Sequence, residues 1–178
     1  MTGRRESIMA QLDEYIGRKT AALKARQADF TSNPDKALVR IGASSKIAGN
    51  SGVRPVRMGD YTVITDSAPG LAGFSLGPTA PEMLLGALAS CLAHTYVIQA
   101  ALLDVPLDSL EVSVSAALDF RGVVGMQVPD APMLQDICYH AEIGTPAPPE
   151  LIDQLHHAVE LYCPVLNTLR LPADVRRE

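Results

Sequence analysis

GPTAPEMLLGALASCLAHTYVIQAALL, from Gly77 to Leu103, is the stretch whose reading decides the fold. From Met83 to Leu103 it carries no formal charge, and Cys91 stands near its middle. Leu84, Leu85, Leu88, Leu92, Tyr96 and Val97 recur at helical spacing. Thr79 and Glu82 match a capping box, and Pro81 falls in the first turn, where its missing N–H costs nothing. A helix apolar on nearly every side is expected to lie in a protein core or in lipid. The uncharged run is long enough for either. However, Ser90, His94, Thr95 and Gln99 interrupt it, Glu82 and Asp104 flank it, and no cation stands near to orient it in a membrane. The expectation is a buried helix of a soluble protein, with no membrane partner.

Composition agrees. The chain has 178 residues, 47% hydrophobic and 20% charged, with a net charge of −5. That balance argues against a nucleic-acid partner. With no Trp and three Phe, the core must rest on aliphatic side chains. Eleven of the fifteen Lys and Arg lie in residues 1–57, and none falls between Met58 and Phe120. Three cysteines make no secreted disulfide framework, and the charged N-terminus has no signal-like apolar run, so a reducing, cytoplasmic setting is expected.

Working outward, residues 5–29 read as a solvated helix with a thin apolar stripe at Ile8, Leu12, Ile16 and Leu23. Asn33-Pro34 marks a boundary, so residues 1–34 are expected to be a helical extension with its linker, and residues 35–178 the main domain. Strands are expected over Ala37–Ala43, Val53–Met58 and Tyr61–Thr65, the last two joined by a Gly59-Asp60 hairpin turn. A loop from Ser67 to Pro78 leads to the central helix. Beyond it, Leu110 to Ala116 alternates as a strand with one apolar face, and Gly122–Pro132 reads as a long irregular connection. Ile137–Ile143 reads as a further strand. A helix follows from about Pro149 to Tyr162, with Leu151, Leu155, Val159 and Leu161 as apolar members. Cys163-Pro164 interrupts it, because a residue before proline is pushed out of helical geometry, and a short helix Pro164–Leu169 follows. The fold class is α+β.

Cys91 is either a small hydrophobe in a core helix or a nucleophile, and as a nucleophile it needs a cation or strong donor to hold a thiolate against burial. Arg54 and Arg57 are the nearest candidates in sequence; otherwise the charge must come from elsewhere in the fold or from a second subunit. His94, three residues on, is a packed histidine or a partner of the thiol. Cys163 would stand at the N-cap of the short helix, where amides and the helix dipole favour a thiolate. Cys138 reads as core. Glu82 is the capping-box acid or an orienter of a cation near the thiol. The four histidines combine with the cysteines at no zinc-ligand spacing, and no nucleotide-binding glycine motif occurs, so neither metal nor cofactor is expected.

GPTAPEMLLGALASCLAHTYV, followed 72 residues after its cysteine by CPVLNTL, resembles the OsmC/Ohr family of osmotically inducible and organic hydroperoxide resistance proteins. The resemblance spans about Ala37 to Leu169. It implies antiparallel sheets around long buried central helices in an intertwined homodimer. It also implies a thiol peroxidase acting on organic hydroperoxides, with Cys91 as peroxidatic and Cys163 as resolving cysteine. Their disulfide would be reduced by an external dithiol, which in the family can be a lipoylated protein. The hydroperoxide-resistance branch carries its glutamate ten residues before the cysteine. Here that position is Pro81 and Glu82 lies nine before, as in the looser OsmC-like branch. A second reading makes the two cysteines a redox switch in a non-catalytic, ligand-binding protein. The N-terminal helix lies outside the family pattern and could serve a protein partner.

Overall fold

The computed structural model describes residues 2–171 and 173–177, with side chains in the first helix described at Leu12 and from Glu14 onward. Helix α1 (Thr2–Ser32) leads through a 3-10 turn (Pro34–Ala37) to strands β1 (Ala43–Ser45), β2 (Arg54–Met58) and β3 (Tyr61–Thr65). Helix α2 (Ala80–Leu102) is followed by β4 (Ser109–Leu118), the short α3 (Phe120–Val123) and β5 (Leu134–Gly144). Helices α4 (Pro149–Tyr162) and α5 (Pro164–Arg170) end the fold. The sheets are antiparallel: β1-β2-β3 forms one, and β4-β5 the other.

Local chemistry explains the central elements. Thr79 Oγ1 accepts from the Glu82 amide, and the Glu82 carboxylate accepts the Thr79 N–H at 2.7 Å, so the capping box forms and α2 starts where expected. Gly59, at φ +58°, supplies the left-handed residue that turns β2 into β3 with Met58 paired to Tyr61. On β4, Leu110, Val112 and Val114 face inward and alternate with exposed positions. They meet Tyr139, Ala141 and Ile143 of β5 in the layer against α2. Leu88, Leu92, Tyr96 and Ala100 of α2 meet Leu155 and Val159 of α4 and Leu166 of α5 in the core, and each fully buried aliphatic side chain contributes about 1.5–3 kcal/mol.

Several expectations are corrected. The first strand is only Ala43–Ser45; residues 34–37 form a 3-10 turn, and residues 38–42 run without a strand partner, Ile41 being 94% exposed. The alternation from Ala37 is real, but no neighbouring strand among the described residues receives it. Helix α2 is covered on one side only: Leu84 and Leu102 are exposed while Leu92, Tyr96 and Ala100 are buried. It is long and apolar enough to cross a membrane, yet α1, β4, α4 and α5 pack against it. Phe120–Val123 turns as a short helix rather than joining an irregular connection. In α4, Ile152 packs against the core where Leu161 was expected, and Leu161 is exposed. In α1, Leu12 and Ile16 pack against the core, whereas Ile8 lies outside the described side chains.

The loop before α2 is built on Asp66, which is fully buried. Its carboxylate accepts backbone N–H groups of Ser67, Phe74 and Leu76. Burial opposes the charge, but those three donors and nearby Arg54 outweigh it and hold the carboxyl below its ordinary value. A Cβ on Gly73 would collide with the Ser67 carbonyl, so glycine is required there.

Truncating the α2 face that meets α4 is expected to lower stability markedly. Leu92→Ala should cost about 2–5 kcal/mol in chemical denaturation at fixed protein concentration, whereas Leu84→Ala, on the uncovered face, should cost well under half as much to the isolated fold.

Candidate active site

Helix α2 presents Cys91 one turn beyond Leu88, and the α4–α5 junction presents Cys163. Cys163 is the C-cap of α4 and the N-cap of α5, in extended geometry. Its N–H donates to Val159 O, and its carbonyl accepts from Asn167 N, so both helix ends are satisfied around it. The result is contact: Cys163 Sγ lies 3.5 Å from Cys91 Sγ. Cys163 is fully buried and Cys91 half-buried. Closing that gap to the roughly 2.05 Å of a disulfide needs no long excursion of either helix.

The electrostatics run against an easy thiolate. Burial pushes the Cys91 thiol up; the backbone N–H of Val165, in the first turn of α5, favours the charged form; and contact with Cys163 raises it again. Thr95 adds a smaller lowering contribution, and its hydroxyl also donates to Cys91 O at 2.8 Å. The net shift is upward. No cation figures among these causes.

The remaining candidates lie apart from the thiols. Glu82 spends its carboxylate on Thr79, whose backbone and side-chain donors hold it below its ordinary value. Arg54 donates to Gly52 O and faces Asp66, in a cleft of about 470 Å³ lined also by Leu71, Pro81 and Phe120. Arg57 is exposed on β2. Among the described residues, neither arginine nor Glu82 enters an ion pair. His94 is exposed and meets Lys19 of α1, with Nζ 3.1 Å from Nε2. Cys138 is corrected from core to exposed: the alternation that turns Tyr139, Ala141 and Ile143 inward turns it outward. No group of three or more His, Cys, Asp or Glu side chains suited to a metal occurs among the described residues.

Sequence reading missed a polar network behind the thiols. Tyr139 Oη donates to Glu160 Oε1 at 3.1 Å, and Arg170 Nη1 lies 3.3 Å from Glu160 Oε2. Arg170 first, then Tyr139, holds the Glu160 carboxyl below its ordinary value. Tyr96 Oη and His156 Nδ1 are 2.6 Å apart, and burial, reinforced by Tyr139, pushes the Tyr96 hydroxyl up. Opposite charges on either side of Cys163-Pro164 were the available signal. A cleft of about 320 Å³ is lined by Leu88, Ile137, Cys138, Tyr139, Leu166, Leu169 and Arg170; neither Cys91 nor Cys163 lines it.

Two antiparallel sheets, a long central helix and a cysteine pair joining that helix to a C-terminal helical junction define an OsmC-type domain. The family model for OsmC-like protein matches residues 73–178, more than half of the chain, and the chain belongs to that family. Among solved structures, it is similar to an OsmC-like protein from Mycoplasma pneumoniae (20% identity, TM-score 0.63, covering 74% of this chain and 88% of that one). It also resembles an OsmC-like protein of unknown function from Vibrio cholerae (13%, 0.61, 74% and 94%). A third is an organic hydroperoxide resistance protein OsmC from Legionella pneumophila (16%, 0.58, 75% and 90%). At these identities the likeness shows the fold. No curated protein matches the sequence.

Because Cys91 is raised by burial and by its neighbour, its alkylation by iodoacetamide should still be accelerating above pH 9, past the ordinary thiol range. Cys163→Ala removes the neighbouring thiol and should move the midpoint to lower pH. Mass spectrometry of Cys91 labelling against pH measures both.

Proposed function

We propose that this protein is a thiol peroxidase for organic hydroperoxides, and the contact between Cys91 and Cys163 carries that reading. The Cys91 thiolate attacks the distal oxygen of the hydroperoxide. The O–O bond breaks, the alcohol departs with the hydroperoxide proton, and a sulfenic acid remains once protonated. Cys163 then displaces the sulfenic hydroxyl as water, forming the Cys91–Cys163 disulfide. An external dithiol reduces it by exchange, emerging as a disulfide while both thiols are restored. The aliphatic core around the pair, including Leu88 and Leu166, favours an alkyl or acyl hydroperoxide over hydrogen peroxide. Family membership and the organic hydroperoxide resistance proteins among the structural relatives, including one from Elizabethkingia anophelis (20% identity, TM-score 0.57, covering 75% of this chain and 89% of that one), support the same chemistry.

The working form in this reading is a homodimer. Among the described residues, the β1–β3 sheet makes only slight contacts with the other elements. Three strands with neither face covered are marginal alone. A second copy that covers this sheet and the bare side of α2 would bury both. It would also bring Arg54 or Arg57 to Cys91 as the cation the chain lacks there.

Steady-state consumption of cumene hydroperoxide with a dithiol reductant tests the activity. Wild type should turn over at least a hundredfold faster than Cys91→Ser, and equal rates would sink the enzyme reading. Light scattering tests the assembly: a particle of twice the 19.0 kDa chain mass is expected. A stable monomer at micromolar concentration would exclude the dimer.

A further inference from the structure

We propose that Glu160, gripped by Arg170 and Tyr139, is a positioning residue that holds the Cys163 thiol against Cys91. The inference rests on the redox reading of Cys91 given above and concerns how the second thiol is kept in place.

Glu160 lies in the last turn of α4, and Arg170 is the last residue of α5. On one straight helix, ten residues would separate them by about 15 Å along the axis. Their contact at 3.3 Å therefore reports the bend at Cys163-Pro164. Asn167 Nδ2, donating to Leu161 O at 2.9 Å, spans the same bend closer in. Tyr139 holds the other carboxylate oxygen from β5, so the bend is referenced to the sheet as well as to itself. Between the two ends of this clamp lies the group that reaches Cys91: the buried Cys163 thiol, its sulfur 3.5 Å away.

Core burial cannot supply the same restraint. Leu155, Val159 and Leu166 already seat the two helices, while Glu160 and Arg170 are each about half exposed and bury little. What the clamp fixes is the angle between α4 and α5. With the angle held, the sulfurs stand 3.5 Å apart and the Cys163 sulfur attacks the sulfenic sulfur at once. The S–S bond forms, the S–O bond breaks, and the hydroxyl leaves as water with the Cys163 proton. With the angle loose, the sulfenic acid waits, and a second hydroperoxide oxidises it to sulfinic acid.

The test compares wild type with Glu160→Gln, Arg170→Gln and Arg170→Lys. Disulfide closure is followed by rapid quench and mass spectrometry after one equivalent of cumene hydroperoxide, and separately after diamide, which oxidises thiols without a hydroperoxide. Closure in the two Gln variants should slow about fivefold with either oxidant. Sulfinic acid at Cys91 should rise at least threefold under excess hydroperoxide. Arg170→Lys, which keeps the charge, should recover most of the closure rate. Closure within twofold of wild type in both Gln variants would overturn the clamp. If Glu160→Gln proves less stable by thermal melting, the comparison of Arg170→Gln with Arg170→Lys decides alone. A wild type that closes with diamide but never consumes hydroperoxide would overturn the peroxidase reading and leave the diamide rates to judge the clamp.

Discussion

Pro164 is the constraint on which the site depends. It has no N–H to continue α4 and forces the preceding residue out of helical geometry, so Tyr162 ends one helix and Pro164 opens the next. Cys163 is left as the shared cap, with its backbone bonded in both directions and its side chain buried against α2. The contact between the sulfurs is a consequence of where that break falls. Moved one residue either way, the break would turn the Cys163 side chain by about 100° around the helix and away from α2.

Asp66 and Cys91 show how the count of donors decides a buried charge. Asp66 is fully buried, but three backbone N–H groups and Arg54 face it, and the charged form wins. Cys91 is less buried, yet it has one amide and the smaller contribution of Thr95, against desolvation and a neighbouring thiol, and the neutral form wins. The same protein therefore shows what a thiolate at Cys91 still needs: one more strong donor or a cation within a few ångströms. No Lys or Arg lies between Met58 and Phe120, and Lys19, which does meet this helix, contacts His94 rather than the thiol.

Much of the architecture was legible because it is written in local chemistry. Thr79, Pro81 and Glu82 give the start of α2; Gly59-Asp60 gives the hairpin; Cys163-Pro164 gives the break between the last helices. The pairing of Cys91 with Cys163 came from resemblance, since nothing in a 72-residue separation says that two sulfurs meet. Cys138 was misread although its parity was available: counting from Tyr139, every second residue faces inward, which leaves Cys138 outside. Glu160 and Arg170 showed in the sequence only as opposite charges on either side of Cys163-Pro164, and pattern could not pair them. Their roles depend on the direction α5 takes after the break, which no periodicity encodes.

The bare side of α2 and the unpaired run of residues 38–42 are two signs of one condition. An alternating segment with Ile41 almost fully exposed, and an uncharged helix with Leu84 and Leu102 exposed, are apolar patterns that the chain does not itself complete. Helix α1 covers part of α2, with Thr20 Oγ1 reaching Ala101 O and Lys19 reaching His94, but it leaves the first turns open. The contact also carries chemistry: it sets one cation of the N-terminal cluster on a residue three positions from Cys91 without entering the balance at the thiol itself. The charge is within a turn of where it is needed, and the helix geometry that puts His94 and Cys91 on neighbouring rows keeps it there. Within the described fold, then, Lys19 directs its charge to His94, and the balance at Cys91 stays with desolvation.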